Sequence, residues 1–169
     1  MDTGTLHAAR FALVAGLLMG SMPTMAEKID CAYSKRTKQN VSSQVMEPGD
    51  RPDRRLSQYV RVDVLSSKFA EWDGAEQTVY GHSDTVGGAG ISAGYSMTSL
   101  KTGEKIWSRW ESMQYRVLQG EDAWEVPFQG VFHFIAGTGK YKAIRGGGHF
   151  RGTATPAGIT QENACEAEY

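Results

Sequence analysis

Glu76-Gln-Thr-Val-Tyr80-Gly-His82-Ser-Asp84-Thr-Val86 runs into Gly87-Gly-Ala-Gly90, and then Ile91-Ser-Ala-Gly-Tyr95-Ser-Met97-Thr-Ser99-Leu100 follows. Side chains of an extended chain alternate between two faces, so a period of two marks a strand. In the first segment Thr78, Tyr80, His82, Asp84 and Val86 share one face, and Gln77, Val79, Gly81, Ser83 and Thr85 the other. In the second, Ile91, Ala93, Tyr95, Met97 and Ser99 alternate with Ser92, Gly94, Ser96, Thr98 and Leu100. The glycine cluster between them breaks the chain.

The same alternation extends both ways. Upstream, Val60, Val62 and Val64 alternate with Tyr59, Arg61, Asp63 and Leu65, the pattern of a half-buried strand. Downstream, Lys101-Thr-Gly-Glu104 is a turn. Residues 105–118 then carry Trp107, Arg109, Glu111, Met113 and Tyr115 on one side, with Ile106, Trp110 and Gln114 on the other. A turn at 119–122 leads to a strand with Phe128, Gly130, Phe132 and Phe134 interleaved by Gln129, Val131, His133 and Ile135. Residues 140–144 read as a short connector or helical turn, 146–155 as a strand, and 158–168 as a strand closing the sheet beside Ala32. Nowhere does a helical stripe of three turns occur. Strands of similar length joined by glycine-containing turns imply an antiparallel sandwich or closed barrel. The many glycines suit strands that bend sharply. Residues 35–55, interrupted by Pro48-Gly-Asp-Arg-Pro52, read as a loop or a flap over a barrel mouth.

The composition agrees with one globular domain. Hydrophobic residues make up 40% of the 169 and charged residues 22%, enough apolar surface for a core. A net charge of −1 gives no field that would reward a nucleic-acid partner.

Residues 1–26 differ from the rest. Arg10 precedes an apolar run from Phe11 to Gly20 and a small-residue end at Ala26, the anatomy of a secretory signal. The run is too short for a membrane anchor. The expectation is a signal peptide over 1–26, a domain over 27–169, and a periplasmic or secreted protein. In such a compartment Cys31 and Cys165 are expected to pair, and no second Cys or His stands at metal-ligand spacing from either.

Phe132-His-Phe-Ile-Ala-Gly137-Thr-Gly139-Lys-Tyr141-Lys-Ala-Ile144-Arg-Gly146-Gly-Gly-His-Phe150-Arg-Gly152 resembles the signature of the allene oxide cyclase-like barrel superfamily, which includes the dirigent proteins. The resemblance implies an all-β, single antiparallel eight-stranded barrel. Gly137-Thr-Gly139 would make the exit from a strand, Tyr141 and Ile144 would pack the connector onto the barrel end, and Gly146 and Gly148 would start the next strand bent. It further implies a small apolar or aromatic molecule bound inside the barrel, steered in its cyclisation or coupling with no metal or organic cofactor. Relatives are often dimers or trimers, so a homo-oligomer is allowed.

A barrel of eight strands is just wide enough to be filled by side chains or to hold one small ligand. Tyr80, His82 and Asp84 put a phenol, an imidazole and a carboxylate on one face, a set able to move a proton near neutral pH, or else an exposed polar face. Trp107, Glu111 and Tyr115 share another face; turned inward, Glu111 becomes an acid or base between two stacking rings, and turned outward it is a solvated charge. His133 lies between Phe132 and Phe134, more often a structural position than a catalytic one. Tyr95 is a further stacking residue, and Arg61 or Arg151 could meet an anionic group. His82, His133 and His149 show no metal-binding spacing.

The expected catalytic set is therefore Glu111, His82, Tyr80 and His133, with Trp107, Tyr95, Tyr115, Arg61 and Arg151 as binding residues. They would serve an exported cyclase, isomerase or lyase. The alternatives are a lipocalin-like carrier without chemistry and a filled barrel whose outer aromatics, Trp110 and Trp124 among them, meet a protein partner.

Overall fold

The computed structural model describes residues 27–115, 117–118 and 124–169; the expected signal peptide over 1–26 lies outside them. The ten strands are β1 (Lys28–Asp30), β2 (Tyr33–Met46), β3 (Arg54–Ser67), β4 (Glu76–Val86), β5 (Ala89–Ser99), β6 (Lys105–Gln114), β7 (Val117–Leu118), β8 (Trp124–Gly137), β9 (Arg145–Thr155) and β10 (Gly158–Glu168). Among the described residues a single 3-10 turn, Gly139–Ala143, separates β8 from β9.

Every pairing is antiparallel. The order β2-β3-β4-β5-β6-β8-β9-β10 returns to β2, so eight strands close a barrel, with β1 added to β10 and β7 to β8. Closure leaves no long open sheet edge around most of the wall. Where β10 meets β2 the ladder covers only 160–163 against 33–36. Beyond Thr37, β2 pairs with β3 alone through two register shifts, and its residues 39–46 are exposed. The expected loop over 35–55 is thus corrected. Residues 35–46 are strand, since only Pro48 and Pro52 interrupt the ladder, and the turn is confined to 47–53, where Asp53 takes φ 63 and Gly49 φ 80.

One end of the barrel is plugged. Trp72, from the 68–75 connection, is 1% exposed and packs with Tyr33, Phe69 and Phe134 at ring separations of 5.7, 6.5 and 5.9 Å. The expected role of the 137–146 signature is realised here. Tyr141 and Ile144 are buried, Tyr141 accepts the Trp72 indole N–H at 3.4 Å, and its hydroxyl donates to Glu71 at 2.7 Å. Gly139 takes φ +58, a conformation side chains rarely adopt, and a Cβ on Gly137 would lie 2.2 Å from the Tyr141 carbonyl oxygen. Cys31 and Cys165 form a disulfide at this end, with Cα atoms 5.2 Å apart. Glu27 and Tyr169 exchange backbone hydrogen bonds of 2.9 and 3.1 Å beside it.

Four inward glycines stand directly opposite aromatic residues on the neighbouring strand: Gly81 opposite Tyr59, Gly94 opposite Trp110, Gly130 opposite Phe150 and Gly152 opposite Phe128. A Cβ at Gly81 would fall 2.4 Å from the Tyr59 ring, and at Gly130 2.5 Å from that of Phe150. At Gly94, Gly130 and Gly152 it would also meet a backbone carbonyl oxygen of an adjoining strand. Glycine here serves two needs, the close approach of coiled strands and floor space for a ring lying across the wall.

Candidate functional site

Above the plugged end the inner face changes character. On β3 the inward set is Tyr59, Arg61, Asp63 and Leu65, while Val60, Val62 and Val64 face outward. Lys35 on β2, Gln77 on β4, Ser96 and Thr98 on β5, Ser108 on β6, and Gln161 and Asn163 on β10 are likewise buried.

Asp63 is the hub. Its oxygens accept from Arg61 Nε at 3.0 and 3.1 Å, and Lys35 Nζ stands 3.3 Å away. Lys35 also donates to Gln77 at 2.7 Å, and Gln77 passes its amide N–H to Thr98 at 2.9 Å. Asp63 is fully buried, and Lys35 and Arg61 are each 8% exposed. Removal from water pushes the Lys35 ammonium down to about 8, the Arg61 charge pushing the same way and Asp63 opposing both. Burial raises the Tyr33 and Tyr59 phenols, which therefore stay protonated as donors.

The opposite wall is aromatic. Trp110, Phe128, Phe132 and Phe150 come from β6, β8 and β9, with the three phenylalanine rings 6.1 to 6.5 Å apart in sequence along the wall. Between the walls lies a cavity of about 70 Å³, reaching from Tyr33 and Phe132 at the floor to Ser92, Gln114, Ala154 and Ile159 toward the other end. The Trp110 indole N–H is buried at this cavity and has no hydrogen-bond partner among the described residues.

Of the residues expected to catalyse or bind, Arg61 alone joins this interior. Glu111, Trp107 and Tyr115 are on the outer face, as are Tyr80, His82, Tyr95, His133 and Arg151. The inward reading of Trp107, Glu111 and Tyr115 is corrected: Trp110 takes the interior place on β6, its ring seated on Gly94. Tyr80 and Tyr95 are direct cross-strand neighbours and about half exposed. His82 stands beside Gln58 and Ala93, and Asp84 is engaged by Arg54 through bonds of 3.0 and 2.7 Å, which hold its carboxyl below the usual range. His133 lies beside Arg109 and Gly147. Glu111, His149 and Arg151 border a broad open depression across the outer wall, where Arg151 pairs with Glu162 at 3.0 Å.

Lys35, Asp63 and Gln77 carry no mark in the sequence that singles them out, and the placement of Trp110 among the outer aromatics is corrected, since its indole is buried at the interior cavity. The available signal is the glycine set: Gly81, Gly94, Gly130 and Gly152 mark the concave face, and alternation along the strand from Gly81 reaches Gln77, and from Gly94 reaches Ser92, Ser96 and Thr98.

No family model matches the chain, and no curated protein matches it in sequence. Solved structures do: the pterocarpan synthase dirigent protein GePTS1 matches over 92% of this chain and 99% of its own, with a TM-score of 0.50 at 12% identity. The fold is that of the dirigent barrel. A second pterocarpan synthase dirigent protein, PsPTS1, matches with a TM-score of 0.47 at 11% identity, covering 85% of this chain and 95% of its own. A conserved protein of unknown function from Rhodopseudomonas palustris gives 0.39 at 9% identity, covering 86% and 99%. In this barrel the ionic wall of β2 and β3 faces the aromatic wall of β6, β8 and β9, and the signature's Gly146, Gly148 and Gly152 lie on β9.

Proposed function

We propose that the chain binds a small molecule in the barrel interior and directs its conversion, as a cyclase, isomerase or lyase. The observation that carries this reading is the Lys35–Asp63–Arg61 cluster. Burying each ion costs several kcal/mol after relaxation, and apolar side chains of similar volume would hold a barrel together at least as well. Charges held there against that cost favour a binding role.

The chemistry available fits such a role. Lys35, brought to about 8, can exchange a proton near neutral pH, and the protonated Tyr59 phenol can donate to a developing oxyanion. The aromatic wall orients a flat substrate and excludes water. GePTS1, by its name a synthase, shares the fold, and that likeness adds analogy rather than mechanism. We infer also that the protein works in the periplasm or outside the cell; the Cys31–Cys165 disulfide supports an oxidising compartment.

The test is native mass spectrometry of the protein from its own compartment, followed by turnover of the molecule that co-purifies. Conversion that falls by about 100-fold or more in Lys35→Met supports the reading. Conversion untouched by that change removes Lys35 from the chemistry, and binding without any product leaves a carrier.

A further inference from the structure

The interior is unbalanced in two respects, charge and hydrogen-bonding capacity. Three charged side chains are buried among the described residues, Lys35, Arg61 and Asp63, so the enclosed formal charge is +1. Asp63 takes the Arg61 Nε–H on both oxygens and has Lys35 Nζ 3.3 Å away, and the Gln77 carbonyl takes Lys35. Donors are in surplus. A guanidinium carries five N–H groups and Asp63 takes the one at Nε, an ammonium carries three, and the Trp110 indole N–H has no partner among the described residues. A buried donor left unmade is costly, so a complementary group must bring acceptor lone pairs and negative charge.

Resting on the small-molecule reading above, we propose that the ligand is an aromatic carboxylate whose anionic end enters the cavity first and is held between Arg61 and the Trp110 indole N–H. A cavity of about 70 Å³ is far below the roughly 300–1,000 Å³ of pockets that enclose a whole drug-sized molecule, yet it takes a carboxylate group. The ring then lies toward Phe128 and the Gln114 end. The guanidinium is already placed: its carbon sits 5.6 Å from the centroid of the Tyr59 ring, which is itself seated over Gly81. A purely apolar ligand would leave the Trp110 indole N–H unmet.

Benzoate and its uncharged analogue benzamide, titrated into the full barrel by calorimetry, separate the possibilities. The Trp110 indole N–H resonance, assigned by its loss in Trp110→Phe, serves as the second readout. Benzoate should bind at least about tenfold tighter than benzamide and move that resonance, because a bond to a charged group is worth that factor or more. Arg61→Met should remove the preference while leaving the fold intact, since Lys35 and Asp63 then balance each other. Trp110→Phe should weaken benzoate more than benzamide, which keeps the proposal testable if Arg61→Met fails to fold. Equal binding of the two probes, or benzoate binding that leaves the Trp110 resonance unmoved, overturns the carboxylate assignment and spares the small-molecule reading. Binding of neither probe at millimolar concentration, with the indole unmoved, overturns both.

Discussion

The plugged floor of the barrel and the space directly above it are built from the same strands and held by different forces. On β3 the step from Leu65 to Asp63 crosses the boundary, and on β2 it lies between Tyr33 and Lys35. Below, Trp72, Tyr141, Leu65 and Ile106 are all 2% exposed or less, packed by dispersion and apolar burial. Above, three ions and a chain of amides and hydroxyls line one wall and face aromatic rings across a cavity. The floor, which needs no ligand, supplies the stability; that frees the upper interior to hold groups that lower it.

This contrast can be broken at either level. The largest effects are expected from Asp63→Ala and Trp72→Ala, each losing about 3–5 kcal/mol in chemical denaturation, one by stranding two buried cations and the other by opening a cavity. They should separate by pH. The Asp63→Ala deficit shrinks as Lys35 loses its proton, and the Trp72→Ala deficit stays constant; equal pH dependence would show that charge does not set the upper level apart.

Gly81→Ala comes next, at about 1–3 kcal/mol, because the added carbon meets the Tyr59 ring and the ring must leave its seat. Shifted Tyr59 fluorescence or ring resonances would accompany the loss. A variant as stable as the parent would mean that the ring has other room, and the pairing of glycine with aromatic would lose its meaning.

Lys35→Met should be smallest, below about 2 kcal/mol at neutral pH, since Arg61 continues to neutralise Asp63. Its signature is a slope. The folded ammonium titrates near 8 and the unfolded one near 10.5, so between these values the unfolded chain binds more protons and stability rises with pH. The parent's Tm should climb from pH 8 to 10 and that of Lys35→Met should not. Above 10 the trend reverses, because the unfolded chain ionises Tyr33 and the folded one resists. A flat parent profile over 8–10 would place Lys35 in contact with water.

Much of the barrel was legible in the chain. Alternation located β4 and β5 within two residues and the start of β6 at Lys105, though it carried that strand four residues past its end at Gln114, and the 137–146 signature placed Tyr141 and Ile144 on the barrel end. The sidedness was not legible. Alternation shows that two faces differ, and hydropathy then points to the valines of β3 as the inner set, yet here the concave face is the polar one. Val60, Val62 and Val64 face out because the narrow interior is occupied by Tyr59, Arg61 and Asp63. Glu111 was read as a buried acid for the same reason: its two aromatic neighbours, Trp107 and Tyr115, suggested an inside that Trp110 in fact takes. Arg61 lies on the inner face, yet its charge alone suggested an anion partner, and alternation left its face open. Residues 35–46 form strand despite the prolines beyond them, because a proline removes only its own ladder hydrogen bond and does not reach back along the strand.

The pairing of Glu27 with Tyr169 fixes which way the molecule can be handled. Both ends of the described chain emerge beside the disulfide at the plugged floor, so a tag, a surface linkage or a fused protein joined at either of them sits on the far side from the Ser92–Gln114 end of the cavity. An immobilised barrel would present that end to solution, and ligand capture on a sensor chip should match capture by the free protein.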